Sequence, residues 1–199
     1  MKLVVATGNQ GKLKEIRAIL PEYEIVCLKD LDIDIDIVED GKTFEENAII
    51  KAETISKMTN MVTIADDSGL VVDYLNGAPG IYSARYAGED ATDEERNKKL
   101  LSELKDVPFE KRTARFACAI AISYPNGKTY TFFDTCEGKI AFEPLGENGF
   151  GYDPLFYFEE FNTTLANVES ERKNKVSHRG KAVRTFADIF ASTNVDIIQ

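Results

Sequence analysis

The run ARFACAIAISYPNGKTYTFFDTCEGKI, residues 114–140, narrows the folds open to this chain more than any other stretch. Two strand patterns flank a Pro125-Asn126-Gly127 turn, and that arrangement predicts a long β-hairpin. The surrounding pattern alternates in type. Residues 2–7 read as a buried strand and residues 11–20 as a helix, with Leu13, Ile16, Ile19 and Leu20 on one face and Pro21 as its stop. Residues 24–28 read as a second strand. A helix is predicted over 43–59, where Thr43 is the N-cap and Glu46 completes a capping box. Residues 61–65 and 69–73 read as short strands around the acidic turn DDSG. A further helix is predicted over 92–104 from a Thr92 cap with Glu95, a short strand over 155–158, and a last helix over 177–191. Helices mixed with strands, joined by both hairpins and crossovers, predict an α/β protein with a mixed sheet.

The chain has 199 residues, enough for one ordinary domain or two small lobes. With 43% hydrophobic and 29% charged residues it has the make-up of a soluble globular chain. No apolar run approaches the roughly 18 residues of a membrane helix, and the first residues read as a strand rather than a signal peptide. A cytoplasmic protein without a membrane partner is expected. Cys27, Cys118 and Cys136 are odd in number and far apart, which argues against a disulfide framework or a zinc site and for small buried hydrophobes. His178 is the single histidine, so a multi-histidine metal cluster is excluded. A formal charge of −10 argues against nucleic acid, whose binding depends on Lys and Arg neutralising phosphates. An acidic protein that takes a polyanionic ligand must concentrate positive charge locally or recruit a divalent cation.

Several stretches carry that signature. ATGNQGK, residues 6–12, follows a strand like a phosphate loop, yet its glycines are too close for a P-loop and Leu13 stands where the metal-binding Ser or Thr would be. ADDSG, residues 65–69, presents two adjacent carboxylates at a strand end, a sparse site of the kind magnesium accepts when phosphates and water complete its shell. VEDGKTF adds Glu39 and Asp40 just before a helix start. VSHRGK, residues 176–181, places Ser177 as an N-cap with His178 and Arg179 in the first turn, where an anion or acceptor oxygen is favoured. Arg172, Lys173 and Lys175 lie just upstream. GFGYDPLF, residues 149–156, interleaves glycines with aromatics and suits a backbone bent around a planar ligand. By contrast LDIDIDIVED fails as a calcium loop, because Ile37 and Thr43 stand where glycine and the closing Glu are required. Its alternation predicts a strand with one solvated acidic face. One phosphate loop, carboxylates for magnesium, a cationic patch and an aromatic platform together describe a nucleoside triphosphate site.

TGNQGK, EDGKTFEENAIIKA, IADDSGL, GAPGIYSARYAGEDATD, FGYDPLF and SHRG, in this order and spacing, resemble the inosine/xanthosine triphosphate pyrophosphatase family, also called XTP/dITP diphosphatases, over nearly the whole chain. The resemblance implies magnesium-dependent hydrolysis of dITP, ITP and XTP to the monophosphate and pyrophosphate. It also implies a single domain over 1–199, built on a long twisted mixed β-sheet with flanking helices. Two lobes with an active-site cleft between them, and a homodimer, belong to the same expectation. Carried over by position, Thr7, Gly8, Asn9, Gln10, Gly11 and Lys12 would cradle the triphosphate. Asp67 would be general base and metal ligand, with Asp66 as the adjacent alternative. Glu39 would be the second ligand, with Asp40 beside it. Ser68 would touch the substrate, and Phe150, Gly151, Tyr152, Asp153, Lys173, His178 and Arg179 would surround the base. The alternative from another class is a purine nucleotide-binding regulator that does not hydrolyse its ligand. Such a protein would be expected to lose the acidic residues present here.

Overall fold

The computed structural model describes residues 2–192, with side chains as far as residue 190. In chain order the elements are β1 (Lys2–Val5), α1 (Gln10–Ile19), β2 (Glu24–Cys27), α2 (Phe44–Thr59), β3 (Thr63–Val72) and α3 (Asp93–Glu103). They are followed by β4 (Thr113–Ser123), β5 (Thr129–Ile140), β6 (Phe156–Phe158), β7 (Thr163–Thr164), α4 (Ser170–Val176) and α5 (His178–Ser192). The strands form one sheet in the order β2-β1-β3-β4-β5-β6-β7. β1 runs parallel to β2, with Leu3 opposite Ile25, and parallel to β3, with Val4 opposite Thr63. β6 runs antiparallel to both β5 and β7. The sheet is therefore mixed and flanked by helices, as expected. The Pro125–Gly127 turn closes the β4–β5 hairpin, Gly127 N–H donating to the Tyr124 carbonyl at 2.9 Å.

The chain divides into two compact units. The first takes in the chain through Asp67, Cys118–Asp134 and the chain from His178 onward; the second takes in Ser68–Ala117 and Thr135–Ser177. Each has its own core. In the first, Leu3, Val5 and Ile64 of the parallel strands and Ile120 and Ile122 of β4 pack with Leu13 and Ile16 of α1 and Val183 and Phe186 of α5. β1 reads as an unbroken apolar run because Leu3, Val4 and Val5 are all fully buried, as expected of a parallel strand covered on both faces. In the second, Leu70, Leu100, Leu104, Phe116, Ile140 and Phe156 are buried together. Arg112 is also buried there, donating to the carbonyls of Val107, Leu104 and Ala141 with Phe142 under its guanidinium.

Two predicted features differ. DDSG is no turn: β3 runs unbroken through it, because a strand paired on both sides satisfies its backbone groups in the ladder and leaves its carboxylates to side-chain partners. LDIDIDIVED is no strand: a 3-10 turn covers Leu28–Leu31, and residues 32–41 have no regular structure. β2 is the edge of the sheet on that side, so no strand pairs with the stretch and its period-two pattern has no ladder to enter. The helix α4 has no counterpart among the elements the sequence predicts.

Candidate active site

The loop between β1 and α1 is shaped by its own side chains. Asn9 is the N-cap of α1, its Oδ1 accepting from Lys12 N–H at 3.0 Å, and Thr7 Oγ1 accepts from Asn9 N–H at 3.1 Å. Gly8, Asn9 and Gln10 are exposed, and the ammonium of Lys12 pairs with the carboxylate of Asp66. Thr7 to Lys12 thus form one loop and helix start in the first unit, with a lysine directed at the acidic strand.

Successive residues of a strand point to opposite faces, so Asp66 and Asp67 have different surroundings. Asp66 is enclosed by the first unit. Arg179 donates to it through Nε at 2.8 Å and Nη2 at 3.4 Å, and the Cys118 thiol donates at 3.0 Å. Burial alone would raise this carboxyl, but the charges of Arg179 and Lys12 outweigh it and hold Asp66 well below the usual carboxylate range. The third guanidinium nitrogen of Arg179 donates to Glu15 of α1 at 2.5 Å, so a cation that is 2% exposed sits between two carboxylates.

Asp67 meets α2 instead. Lys51 Nζ lies 3.1 Å from Asp67 Oδ1 and 2.7 Å from Glu39 Oε2, and Asn47 Nδ2 donates to Asp67 Oδ2 at 3.3 Å. Asn47 and Lys51 are four residues apart, hence on one face of α2. Helix and acidic loop are fixed to each other locally. Thr43 caps α2 as predicted, accepting from Glu46 N–H at 3.1 Å. The Glu46 carboxylate, however, accepts from Lys42 N–H rather than from the cap residue. Gly41 N–H donates to Asn47 Oδ1 at 2.9 Å, and a Cβ on Gly41 would lie 2.6 Å from that oxygen, so glycine is required for the loop carrying Glu39 to pass this close. Burial raises Asp67, with Glu39 adding to the rise and Lys51 and Lys12 opposing it. Burial would also strip the proton from Lys51, but Asp67 and Glu39 outweigh it, so Lys51 stays an ammonium.

The donor set suits a hard divalent cation. Glu39 and Asp67 converge on a single positive centre, the Lys51 ammonium. Among the described residues no group of three or more His, Cys, Asp or Glu is placed to hold a metal. Magnesium asks for only one or two carboxylates, taking water and phosphate oxygens for the rest.

In the second unit, residues 149–153 form a tight loop. Asp153 Oδ2 accepts from Phe150 N–H at 2.9 Å and from Lys173 Nζ at 2.5 Å, and that ammonium lies 5.1 Å from the centre of the Phe150 ring. Asp153 and Lys173 are 2% and 3% exposed. Gly149 has φ +76, and a Cβ there would overlap the Asp153 carboxylate. Tyr152 is buried, its hydroxyl donating to the Ser83 carbonyl at 2.8 Å. Lys173 belongs to α4, and Ser68 lies on β3 within the same unit. Ser177 is extended between α4 and α5, and His178 and Arg179 open α5, both buried.

The resemblance thus distributes its residues by unit. Thr7 to Lys12, Glu39, Asp67, His178 and Arg179 belong to the first, and Ser68, Phe150 to Asp153 and Lys173 to the second. The sequence motifs assign no role to Lys51, Asn47 or Glu15. The first two had a readable signal, a cation and an amide four apart in FEENAIIKA just after the acidic turn. Glu15 had none, since its partner is 164 residues away.

The family model described as Ham1 matches residues 3–189. The dITP/XTP pyrophosphatase of Geobacter sulfurreducens is 53% identical over 189 residues, covering 94% of this chain and 95% of that protein. The protein of the same description from Desulforamulus reducens is 50% identical over 191 residues, with 95% of each covered. The solved structure of the Staphylococcus aureus Ham1 protein matches with a TM-score of 0.87 at 44% identity, covering 98% of this chain and 100% of that one. By sequence over nearly its whole length and by fold, the chain belongs to the Ham1 family.

Proposed function

We propose that residues 1–199 act as one magnesium-dependent pyrophosphatase domain, which hydrolyses non-standard purine nucleoside triphosphates (dITP, ITP and XTP) to the monophosphate and pyrophosphate. Such an enzyme removes these nucleotides from the pool. The observation that carries the reading is the convergence of Glu39 and Asp67 on one cation, in a first unit that also supplies Lys12 from the first turn of α1. The similar proteins described as dITP/XTP pyrophosphatases support the same reaction. A cytoplasmic location and a homodimer go with the reading and rest on the resemblance. No described helix is long and apolar enough to cross a membrane.

Magnesium held by Glu39 and Asp67 would offset substrate charge and act as a Lewis acid. The chain's own residues do the rest. Lys12 and Lys51 place two ammonium groups where an otherwise acidic protein must receive a polyanion. Asp67, its affinity for a proton raised by burial, takes the proton from the water that attacks the α-phosphorus. Asn47 and Lys51 keep its carboxylate from turning away. Phe150 offers a ring for the base, kept in place by Asp153 and Lys173. The 6-oxo group of hypoxanthine and xanthine accepts a hydrogen bond from donors near His178 and Arg179. Adenine offers a donor at that position, and a buried donor left unpaired supports discrimination on the order of 10⁴-fold.

Products released from dITP, XTP, dGTP and dATP with magnesium test the reading. Pyrophosphate is expected from dITP and XTP, and next to none from dATP. Release of single phosphate would make the protein a phosphatase. Tight binding of dITP without turnover would favour the regulator.

A further inference from the structure

Residues 149–151 have an unusual backbone: Gly149 and Gly151 both lie in the left-handed region, at φ +76 and +63, with Phe150 between them. Neither helix nor sheet supports such a segment, so its polar groups must be met individually. At Gly151 they are met by one helix. The Gly151 N–H donates to Asp93 Oδ2 at 2.7 Å, and the Gly151 carbonyl accepts from Asn97 Nδ2 at 3.0 Å. Asp93 and Asn97 are four apart, on one face of α3. Asp93 is itself fixed, because the Arg96 guanidinium pairs with it while donating to the carbonyls of Ala84 and Ala91.

Packing does not explain this arrangement. Asp93, Asn97, Gly149, Phe150 and Gly151 border a cavity of about 600 Å³, so open space adjoins the loop and leaves it room to shift. Asn97 is 6% exposed and its Oδ1 accepts no hydrogen bond, a cost that an apolar side chain would avoid. What Asn97 supplies in return is its bond to Gly151.

We propose that Asp93 and Asn97 are positioning residues for purine recognition, holding the Gly151 peptide from both sides so that the Phe150 ring stays presented to the base. This rests on the reading of the protein as a purine nucleotide pyrophosphatase. Asp93 and Asn97 belong to the second unit with Phe150, whereas Asp67, Lys51 and Lys12 belong to the first; the tether is assigned to base recognition and not to the chemical step.

Asn97→Leu is the sharpest test, because leucine keeps the branched arrangement of four side-chain heavy atoms and removes the unpaired oxygen along with the tether. With magnesium and dITP, KM is expected to rise about tenfold, the order set by losing one hydrogen bond, while kcat stays within about twofold. KM for dATP, whose base meets the same ring, should rise by a similar factor, with Tm unchanged or higher. A purely structural role would lower Tm and leave both KM values alone. Asp93→Ala, which removes the other tether, should give the same split between KM and kcat, and it carries the test if the leucine variant does not fold. Unchanged KM in a folded variant, beside a normal wild type, would remove the tether alone. A wild-type protein that releases no pyrophosphate from dITP would remove the activity reading, and this proposal with it.

Discussion

Replacing Asp67 with Asn is expected to slow pyrophosphate release from dITP by roughly a thousandfold while leaving the protein folded, the scale of a lost general base. The substitution keeps the side chain's shape and its place opposite Asn47 and Lys51. It removes the lone pair that accepts the proton of the attacking water, and one of the two carboxylates available to a divalent cation. The neighbouring carboxylate cannot substitute for it. Asp66 faces the other way and is occupied by Arg179, Lys12 and the Cys118 thiol, which hold it ionised and poorly basic. Stopped assays on purified Asp67→Asn and wild type check this, with circular dichroism to verify the fold. A variant retaining more than about a tenth of wild-type kcat would exclude Asp67 as the base, since general bases contribute at least 10²-fold.

The second large effect is on stability. Arg179→Met is expected to destabilise the protein by about 3–5 kcal/mol at pH 7, the scale of breaking a buried ion pair by removing one partner. Methionine fills much of the same volume but leaves Asp66, with no exposed side-chain surface, and Glu15, with 10%, facing each other without a guanidinium. Urea unfolding should show a lower midpoint at an unchanged slope. The pH dependence carries a sign. In the wild type Asp66 has a depressed folded-state pKa, so its contribution is present above the ordinary carboxylate value and is lost as pH falls through the depressed one. In the variant, burial is opposed only by Lys12 and the Cys118 thiol, so Asp66 takes up a proton at higher pH than in the wild type, relieving part of the charge left without its guanidinium. The gap between the two proteins should therefore narrow as pH falls from 7 toward 4. A gap that stays constant or widens would show that the cost comes from packing and not from charge.

Local chemistry made much of the fold readable. Thr92 with Glu95 forms the reciprocal cap expected of it, Thr43 caps α2, and the turn at Asn126-Gly127 closes the predicted hairpin. The failures share one cause, a decision taken by a distant partner. Asp66 and Asp67 look like turn residues until β1 and β4 pair with the strand that carries them. The Ile33 to Ile37 alternation looks like a strand, but β2 is the edge of the sheet and no described strand pairs with it. α4, SERKNKV, lacks an apolar stripe, and no side chain caps its start.

The candidate site divides in the same way. Acidic and basic residues next to each other in sequence, such as Glu39 before GKTF or His178 beside Arg179, could be marked as chemistry, but not which charge each would meet. The Arg179 side chain is expected around the base; its guanidinium bonds with Asp66 and Glu15, through contacts spanning 113 and 164 residues. Lys51 shows the same limit on a smaller scale. Its partners lie 12 and 16 residues away, beyond any helical period, and only folding brings them together. Cys118 was expected as a small buried hydrophobe; it is buried, and its thiol adds a donor to Asp66.

Hydrolysis of dITP in water enriched in oxygen-18, with mass spectrometry of both products, tests the proposed reaction most directly. Attack by a water deprotonated at Asp67 on the α-phosphorus should place one labelled oxygen in dIMP and none in pyrophosphate. Label in the pyrophosphate would mean attack at the β-phosphorus, and release of dIDP with single phosphate would mean cleavage of a different bond; either would contradict the proposed chemistry.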